Sequence, residues 1–310
     1  MRGDVIKNPE KSLQTVGRFA PSPTGPLHFG SLVAAVGSYC LARRDQGKWL
    51  VRIEDLDRPR VVAGAADLIL STLEELGFEW DEAPVYQSRR MARYEEVLSR
   101  LNEGGHIFPC ACSRREVLAS APHPGEEGPV YGGTCRQGIP PGRSPRSLRL
   151  RVPAGSRLFV DGIFGPVEQC LASAVGDFVL RRADGLFAYQ LAVVVDDADS
   201  GVNQVVRGAD LLHSTPRQIY LYACLGWPVP RYLHLPLALD AAGEKISKRQ
   251  GEVSRRRHGE NGRLLAQALC FLGQAVPPEL VRAPPGEILR WGVEHFRLEA
   301  VPRENRIAGD

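Results

Sequence analysis

Apolar residues along the chain fall into short runs and helical stripes that alternate. The short runs predict buried strands at residues 15–20, 48–53, 203–206 and 232–239. Between them, apolar residues recur at helical spacing at 31–44, 65–76 and 215–225. Such alternation predicts an α/β fold built on a Rossmann-like, doubly wound parallel sheet.

The pattern changes between residues 105 and 183, where Pro- and Gly-rich loops and short alternating runs such as 147–152 replace the helical stripes. This texture predicts a small inserted subdomain that is mostly β. Two more helical patterns, at 261–272 and 287–296, predict a short helical C-terminus. The expected organisation is a catalytic domain in two halves, an insert and a C-terminal segment, at 1–104 and 184–250, 105–183, and 251–310.

Composition is ordinary for a globular protein, with 43% apolar and 24% charged residues. No run of eighteen apolar residues occurs and residues 1–15 are polar, so we expect no membrane span, no signal peptide and a cytoplasmic location. The net charge of +3 argues against a general polyanion binder. Contact with nucleic acid would therefore rest on two local basic patches, at 143–151 and 245–258.

Seven cysteines, an odd number, do not suggest a disulfide framework. Four stand singly among apolar neighbours and are predicted to be buried core residues: Cys40, Cys170, Cys224 and Cys270.

The other three cysteines are closely spaced, which predicts one structural zinc ion with thiolate ligands. They are Cys110, Cys112 and Cys135. Chemistry alone leaves the fourth ligand open, because His106 and His123 are ordinary donors whereas a tyrosine phenolate is unusual. Reduced structural cysteines are the alternative.

Residues 18–31 follow a predicted strand and open a predicted helix through a segment rich in proline and glycine. Free N–H groups at a helix N-terminus attract phosphates. Gly30 would let ATP approach the backbone, and His28 would donate a hydrogen bond to a phosphate oxygen. Simple helix capping is the alternative interpretation of this segment.

Two lysines, Lys245 and Lys248, lie on a glycine-led loop after the last predicted strand. Two ammonium groups there would clamp a triphosphate, although such a loop alone is also typical of an ordinary basic surface. The chain has neither a G-x-x-x-x-G-K-[ST] loop nor a G-x-G-x-x-G turn after a strand. This argues against a P-loop enzyme or a dinucleotide oxidoreductase.

These segments resemble those of class I glutamyl-tRNA synthetases. Residues 18–31 resemble the HIGH region, 245–248 resemble the KMSK loop, and 52–59 and 195–212 resemble internal signatures. Two departures are Ser31 in place of the second HIGH histidine and Ile246 in place of the KMSK methionine. The resemblance implies catalysis by His28, Lys245 and Lys248. It also implies that ATP, with Mg²⁺ on its phosphates, is bound by His28, Gly30, Ser31, Lys245 and Lys248.

Free glutamate carries two carboxylates and one ammonium, so its pocket needs two cations and one anion. Arg18 and Arg207 would each grip a carboxylate, and Glu54 would pair with the ammonium. Which arginine holds which carboxylate stays open, and taken alone these residues also suit ion pairs or core positions. The resemblance implies an amino-acid site formed by Arg18, Phe19, Ala20, Pro21, Ser22, Glu54, Tyr189 and Arg207.

The implied reaction begins with attack of the glutamate α-carboxylate on the α-phosphate of ATP, which releases pyrophosphate and leaves glutamyl adenylate. No protein nucleophile is required, and catalysis rests on positioning and charge stabilisation. A hydroxyl of an acceptor RNA then takes the glutamyl group.

Only 62 residues follow the KMSK-like loop, too few for the large helical region with which ordinary relatives read the anticodon. The short architecture resembles the glutamyl-queuosine tRNA(Asp) synthetases, which attach glutamate to queuosine in the anticodon of tRNA(Asp). That resemblance favours Tyr131 as the fourth zinc ligand. It implies ATP, L-glutamate and the queuosine-bearing anticodon arm as partners, with no membrane and no stable protein partner. The alternatives are a minimal synthetase charging a tRNA 3′ end and a non-catalytic RNA- or zinc-binding paralogue.

Overall fold

The computed structural model describes residues 14–122, 124–125, 128–244, 246 and 260–307. The strands are β1 (Val16–Phe19), β2 (Lys48–Ile53), β3 (Val85–Tyr86), β4 (Ile107–Cys110), β5 (Pro124–Gly125), β6 (Gly128–Pro129), β7 (Ser147–Leu150), β8 (Ser156–Asp161), β9 (Gly165–Cys170), β10 (Val179–Arg181), β11 (Gln204–Gly208), β12 (Arg231–Leu235), β13 (Ala238–Leu239) and β14 (Arg306–Ile307). The α-helices are α1 (Phe29–Arg44), α2 (Ala65–Glu75), α3 (Met91–Glu103), α4 (Arg114–Ser120), α5 (Leu171–Ala174), α6 (Tyr189–Asp199), α7 (Thr215–Leu225), α8 (Asn261–Phe271) and α9 (Pro285–His295).

The central sheet has the strand order β12–β11–β1–β2–β3, and every neighbouring pair is parallel. Side chains alternate across it, as β2 shows. Trp49 and Val51 join a core cluster with α1, α8 and α9, whereas Leu50 packs in a cluster with α7 on the opposite face. Helices thus cover both faces, and the predicted α/β fold with a parallel sheet is confirmed.

The same alternation sends charged side chains to one face. Arg18, Arg52 and Arg207 each lie one residue before the carboxyl end of β1, β2 or β11, on the face opposite Phe19, Ile53 and Val206. Because the strands are parallel, their carboxyl ends meet at one edge of the sheet. Three arginines are therefore brought together there.

Residues 105–183 contribute an antiparallel sheet, β10–β7–β4, and two hairpins, β5–β6 and β8–β9. The β8–β9 hairpin docks against β12, because the Gly162 N–H donates to the Tyr232 carbonyl at 2.9 Å. A Cβ atom on Gly162 would lie 2.9 Å from Leu233 Cγ, so only glycine fits this close approach. The turn of the hairpin is thereby held beneath an outer strand of the central sheet.

Two expectations about this architecture require correction. The strand predicted over 232–239 is divided into β12 and β13, because Pro236 between them has no N–H to continue a ladder. Of the four single cysteines, only Cys40 is buried; Cys170 and Cys224 are half-buried and Cys270 is exposed. Cys270 continues the exposed stripe of α8 that begins at Arg263, seven residues earlier.

None of the helices among the described residues is long and apolar enough to cross a membrane.

Candidate active site

A cavity of about 550 Å³ opens at the carboxyl edge of the central sheet, next to the N-terminus of α1. Ligands of open α/β sheets bind at this edge. The cavity wall includes every predicted glutamate and ATP residue that the structure describes: Arg18, Phe19, Ala20, Pro21, Ser22, His28, Gly30, Ser31, Glu54, Tyr189 and Arg207. The structure therefore brings these eleven side chains and backbones to one site.

Lys245 and Lys248 lie outside the described residues. Ile246, between them, lines the cavity, and its N–H donates to the carbonyl of Ala238 at 3.0 Å. Ile246, the one described residue of the KMSK-like segment, therefore lies beside the site.

The N-terminus of α1 presents its positive end to the cavity. His28 is the N-cap, and its Nδ1 accepts the N–H of Ser31 at 3.2 Å. No acidic residue occupies the first turn, so no side chain of the helix itself competes with an anion there. A Cβ atom on Gly30 would lie 3.2 Å from His28 Cε1. The absence of a side chain at Gly30 therefore leaves room for the His28 imidazole.

Arg18 and Glu54 each have an ionic partner within the protein. Arg18 Nε lies 3.2 Å from Asp197 Oδ1, and its Nη1 donates to the carbonyl of Val206 at 3.2 Å. Glu54 Oε1 lies 3.1 Å from Arg52 Nη2. Within the described part of the chain, Arg18 Nη2 donates no hydrogen bond, so this nitrogen retains capacity for a ligand.

Arg52 and Asp197 form the centre of this buried charge network, a role that the sequence did not reveal. Arg52 Nη1 lies 2.6 Å from Asp197 Oδ1, and its Nε lies 3.8 Å from Asp196 Oδ2. Burial raises the pKa of Asp197, but Arg18 and Arg52 outweigh it and hold that pKa below its usual value. For Glu54 burial prevails over the attraction of Arg52, and its pKa is raised. Both residues lie inside the segments that carried the family resemblance.

Arg207 differs from Arg18 and Arg52, because it is a buried cation to which none of the described residues offers a carboxylate partner. Its side chain makes four hydrogen bonds, to His234 Nε2 (3.0 Å), Tyr189 Oη (3.4 Å), Leu211 O (3.4 Å) and Thr215 Oγ1 (2.8 Å). All four acceptors are neutral groups. Among the residues that the structure describes, no carboxylate oxygen lies within 4.0 Å of its nitrogens, although Arg207 is only 5% exposed. Such a charge is costly without a counter-ion.

His234 and Asp161 stand behind Arg207, and neither was predicted. His234 Nδ1 lies 2.7 Å from Asp161 Oδ2, and both side chains are fully buried. Burial lowers the pKa of His234 to about 4, so its imidazole is neutral near pH 7. No sequence spacing could have indicated this contact, since Asp161 and His234 are 73 positions apart.

The three closely spaced cysteines lie near enough to one another to hold a metal ion. The sulfur atoms of Cys110, Cys112 and Cys135 lie within 4.8 Å of one another, and those of Cys112 and Cys135 are 3.7 Å apart. Tetrahedral thiolates about 2.3 Å from a zinc ion are separated by about this distance. Tyr131 Oη lies 3.5 Å from Cys110 Sγ and 3.9 Å from Cys112 Sγ. His106 is not part of the cluster, and His123 lies outside the described residues.

Of the two predicted basic patches, 143–151 is turned partly inward. Arg143 pairs with Glu116 at 2.9 Å, and the guanidinium of Arg149 lies over the Tyr131 ring at 3.9 Å. Arg151 donates to the carbonyl of Arg136. This patch offers less free charge than its sequence suggested, because its side chains stabilise the surroundings of the cysteines. Most of the second patch lies outside the described residues.

Comparison with known proteins places the chain in a family. A family model described as "tRNA synthetases class I (E and Q), catalytic domain" matches residues 14–276. A protein named Glutamyl-Q tRNA(Asp) synthetase from Dechloromonas aromatica (strain RCB) is 57% identical over 94% of this chain and 97% of its own length. One of the same name from Geobacter sulfurreducens is 56% identical over 93% of each chain.

A solved structure of a glutamate tRNA ligase from Elizabethkingia meningosepticum, in complex with its amino acid, has the same fold. It aligns with a TM-score of 0.80 at 24% identity, over 96% of this chain and 67% of its own. The fold, the cavity at the sheet edge and the two relatives are all consistent with the family that the model describes. The chain belongs to the class I tRNA synthetases for glutamate and glutamine, as a ligase with their catalytic domain.

Proposed function

We propose that this enzyme activates L-glutamate with ATP and transfers the glutamyl group to queuosine in the anticodon of tRNA(Asp). The observation that carries the first step is Arg207, a buried cation that lines the cavity and has no carboxylate partner among the described residues. A ligand carboxylate would supply the missing counter-charge. The names of the relatives support the acceptor.

The remaining groups of glutamate match the rest of the wall. Arg18 Nη2 would meet the second carboxylate, and Glu54 would face the ammonium from its pair with Arg52. Phe19, Ala20, Pro21 and Ser22 would line the amino-acid site beside them. Because Arg18 and Glu54 are already paired within the protein, they are held in position before the ligand arrives.

Adenylate formation would take place next to the N-terminus of α1. There His28, Gly30 and Ser31 would contact ATP, whose Mg²⁺ and the lysines Lys245 and Lys248 would neutralise its phosphates. The glutamate carboxylate would attack the α-phosphate and pyrophosphate would leave. ATP and tRNA are both cytoplasmic substrates, which supports a cytoplasmic location.

Glutamate-dependent exchange of labelled pyrophosphate into ATP, without RNA, tests the activation step. We expect exchange with glutamate and far less with glutamine, because the side-chain amide of glutamine brings no counter-charge to the arginine, Arg18 or Arg207, that would hold the side-chain carboxylate. No exchange with glutamate would instead favour a non-catalytic, RNA- or zinc-binding paralogue.

The acceptor is tested with tRNA(Asp) isolated from cells that make queuosine and from cells that do not. Labelled glutamate should appear only on the queuosine-containing RNA, and nuclease mapping should place it in the anticodon loop. Equal transfer to both RNAs, or label on the 3′-terminal adenosine, would favour a minimal synthetase that charges a 3′ end.

We also propose one structural zinc ion, held by Cys110, Cys112, Tyr131 and Cys135. The 3.7 Å separation of two sulfurs and the approach of Tyr131 Oη support it. The zinc would stabilise an inserted subdomain at 105–183, between catalytic halves at 1–104 and 184–250 and ahead of a helical segment at 251–310.

Elemental analysis of purified protein tests the zinc site. We expect about one zinc per chain, its loss in Cys112→Ser, and full retention in the control Cys270→Ser, whose thiol is exposed. Folded, active protein without zinc would contradict the proposal, and full zinc in Tyr131→Phe would remove Tyr131 from the ligand set.

A further inference from the structure

The guanidinium of Arg207 is held from behind by a line of hydrogen bonds that begins on the inserted hairpin. Asp161 ends β8, in the turn of the β8–β9 hairpin, and its Oδ2 lies 2.7 Å from His234 Nδ1. On the other side of the ring, His234 Nε2 lies 3.0 Å from Arg207 Nε. The line therefore joins the insert to the wall of the cavity.

The direction of each hydrogen bond follows from the donors. A guanidinium has only donors, so Arg207 Nε–H must donate and His234 Nε2 must accept. A neutral imidazole has one N–H, which is then on Nδ1 and donates to Asp161. Asp161 is itself fixed, because it also accepts the N–H groups of Ile163 (3.0 Å) and Phe164 (2.9 Å). Only one tautomer of His234 fits this arrangement.

The arrangement also determines which face of Arg207 remains for a ligand. Of its five N–H donors, four are engaged by residues that the structure describes, namely His234, Tyr189, Leu211 and Thr215. The donor that remains is on Nη1, beside the Tyr189 hydroxyl at the cavity wall. The charge of Asp161 reaches Arg207 only through the neutral ring, so it does not occupy the side of the guanidinium that a carboxylate would bind.

We propose that His234, held by Asp161, is a positioning residue that fixes the guanidinium of Arg207 for the carboxylate of glutamate. This inference rests on the proposed function. The imidazole orients the guanidinium plane, and the carboxylate behind it offsets part of the buried charge without competing with the substrate. Asp161 thereby gives the hairpin of residues 156–170 a part in amino-acid recognition.

Two substitutions at one position separate positioning from simple structural support. In His234→Asn, the side-chain amide can still donate to Asp161 but presents no acceptor to Arg207. In His234→Gln, the longer side chain places an oxygen where Nε2 was. A matched control is Ser38→Ala, which removes another buried hydrogen bond, from Trp49 Nε1 (3.0 Å), between residues that do not line the cavity.

Glutamate-dependent pyrophosphate exchange gives the readout. His234→Asn should raise the KM for glutamate by about 10- to 100-fold while kcat and the KM for ATP change by about twofold at most, as expected when a hydrogen bond to a charged group is lost. In His234→Gln, the KM for glutamate should stay close to the wild-type value. Ser38→Ala should lower the unfolding midpoint without changing the glutamate KM.

An unchanged glutamate KM in His234→Asn, or an equal loss in His234→Asn and His234→Gln, would overturn the inference while leaving the proposed function standing. Absence of glutamate exchange by the wild-type enzyme would overturn the proposed function and this inference with it. Should His234→Asn fail to fold, Asp161→Asn decides: a raised glutamate KM supports the inference and an unchanged KM overturns it.

Discussion

Arg52 and Arg207 lie on the same face of the same sheet and are similarly buried, at 3% and 5% exposure, yet their electrostatic surroundings are opposite. Arg52 has Glu54, Asp196 and Asp197 within 4.0 Å. Arg207 is surrounded by neutral acceptors and, in the part of the chain that the structure describes, by no carboxylate at that distance. Burial alone therefore does not identify an arginine that binds a ligand. Arg52 is neutralised by neighbouring carboxylates, whereas none of the described residues gives Arg207 a direct carboxylate partner.

The largest effect is expected from Arg52→Met, on stability. Removing this cation leaves Asp197 and Glu54 buried without their main partner, which should lower the free energy of unfolding by about 3–5 kcal/mol. Urea unfolding measures it. A loss below about 1 kcal/mol would show that the ion pairs of Arg52 do not stabilise the fold.

The matching change Arg207→Met should act on activity. Without the guanidinium, kcat/KM for glutamate in pyrophosphate exchange should fall by about 10- to 100-fold, which corresponds to about 1.5–3 kcal/mol. The free energy of unfolding should change little, because a buried charge is removed without leaving a carboxylate unpaired. A large loss of stability with unchanged glutamate kinetics would reverse the assignment of the two arginines.

A pH series sharpens the role of the neutral imidazole. The pKa of His234 is lowered to about 4 by burial, against about 6.5 in an unfolded chain. Below pH 6.5 the unfolded state binds a proton that the folded state does not, so stability falls as the pH is lowered from 6.5 towards 4. Between pH 7 and pH 5 this contributes about 2 kcal/mol.

Urea unfolding of the wild type and of His234→Gln at both pH values isolates that contribution. The wild type should lose about 2 kcal/mol more than the variant. Equal losses would indicate that His234 is protonated in the folded state, where its Nε2 could not accept from Arg207.

The smallest effect is expected from Tyr189→Phe. The hydrogen bond from Arg207 Nη1 to Tyr189 Oη is long, at 3.4 Å. Its loss should cost about 1 kcal/mol at most, or roughly a fivefold rise in the glutamate KM. A loss as large as that of Arg207→Met would show that the hydroxyl itself contacts the substrate.

Much of the fold was predictable because local patterns determine it. The predicted helix at 215–225 and strand at 48–53 match α7 and β2 at both ends. In contrast, α6 was not predicted, since every residue from Gln190 to Asp197 is buried and three consecutive valines, Val193–Val195, favour a strand. A helix buried on all sides lacks the polar face by which periodicity reveals one.

The site divides in the same way. The clustering of the three cysteines was predictable because Cys110 and Cys112 are near neighbours and only Cys135 is more distant in sequence. The glutamate and ATP residues were predicted from segments that resemble a family. The contacts that distinguish Arg52 from Arg207 were not, since Asp197, His234 and Asp161 reach the arginines only through the packing of α6, β12 and the hairpin.

The most direct test of this account compares glutamate with glutamine as substrates for pyrophosphate exchange, in the wild type and in Arg207→Gln. If the side-chain carboxylate of glutamate, rather than its α-carboxylate, completes the charge balance of Arg207, the wild type should prefer glutamate by about 100-fold or more in kcat/KM, and the variant should lose at least about tenfold of that preference. An unchanged preference for glutamate in a folded Arg207→Gln enzyme would contradict the account.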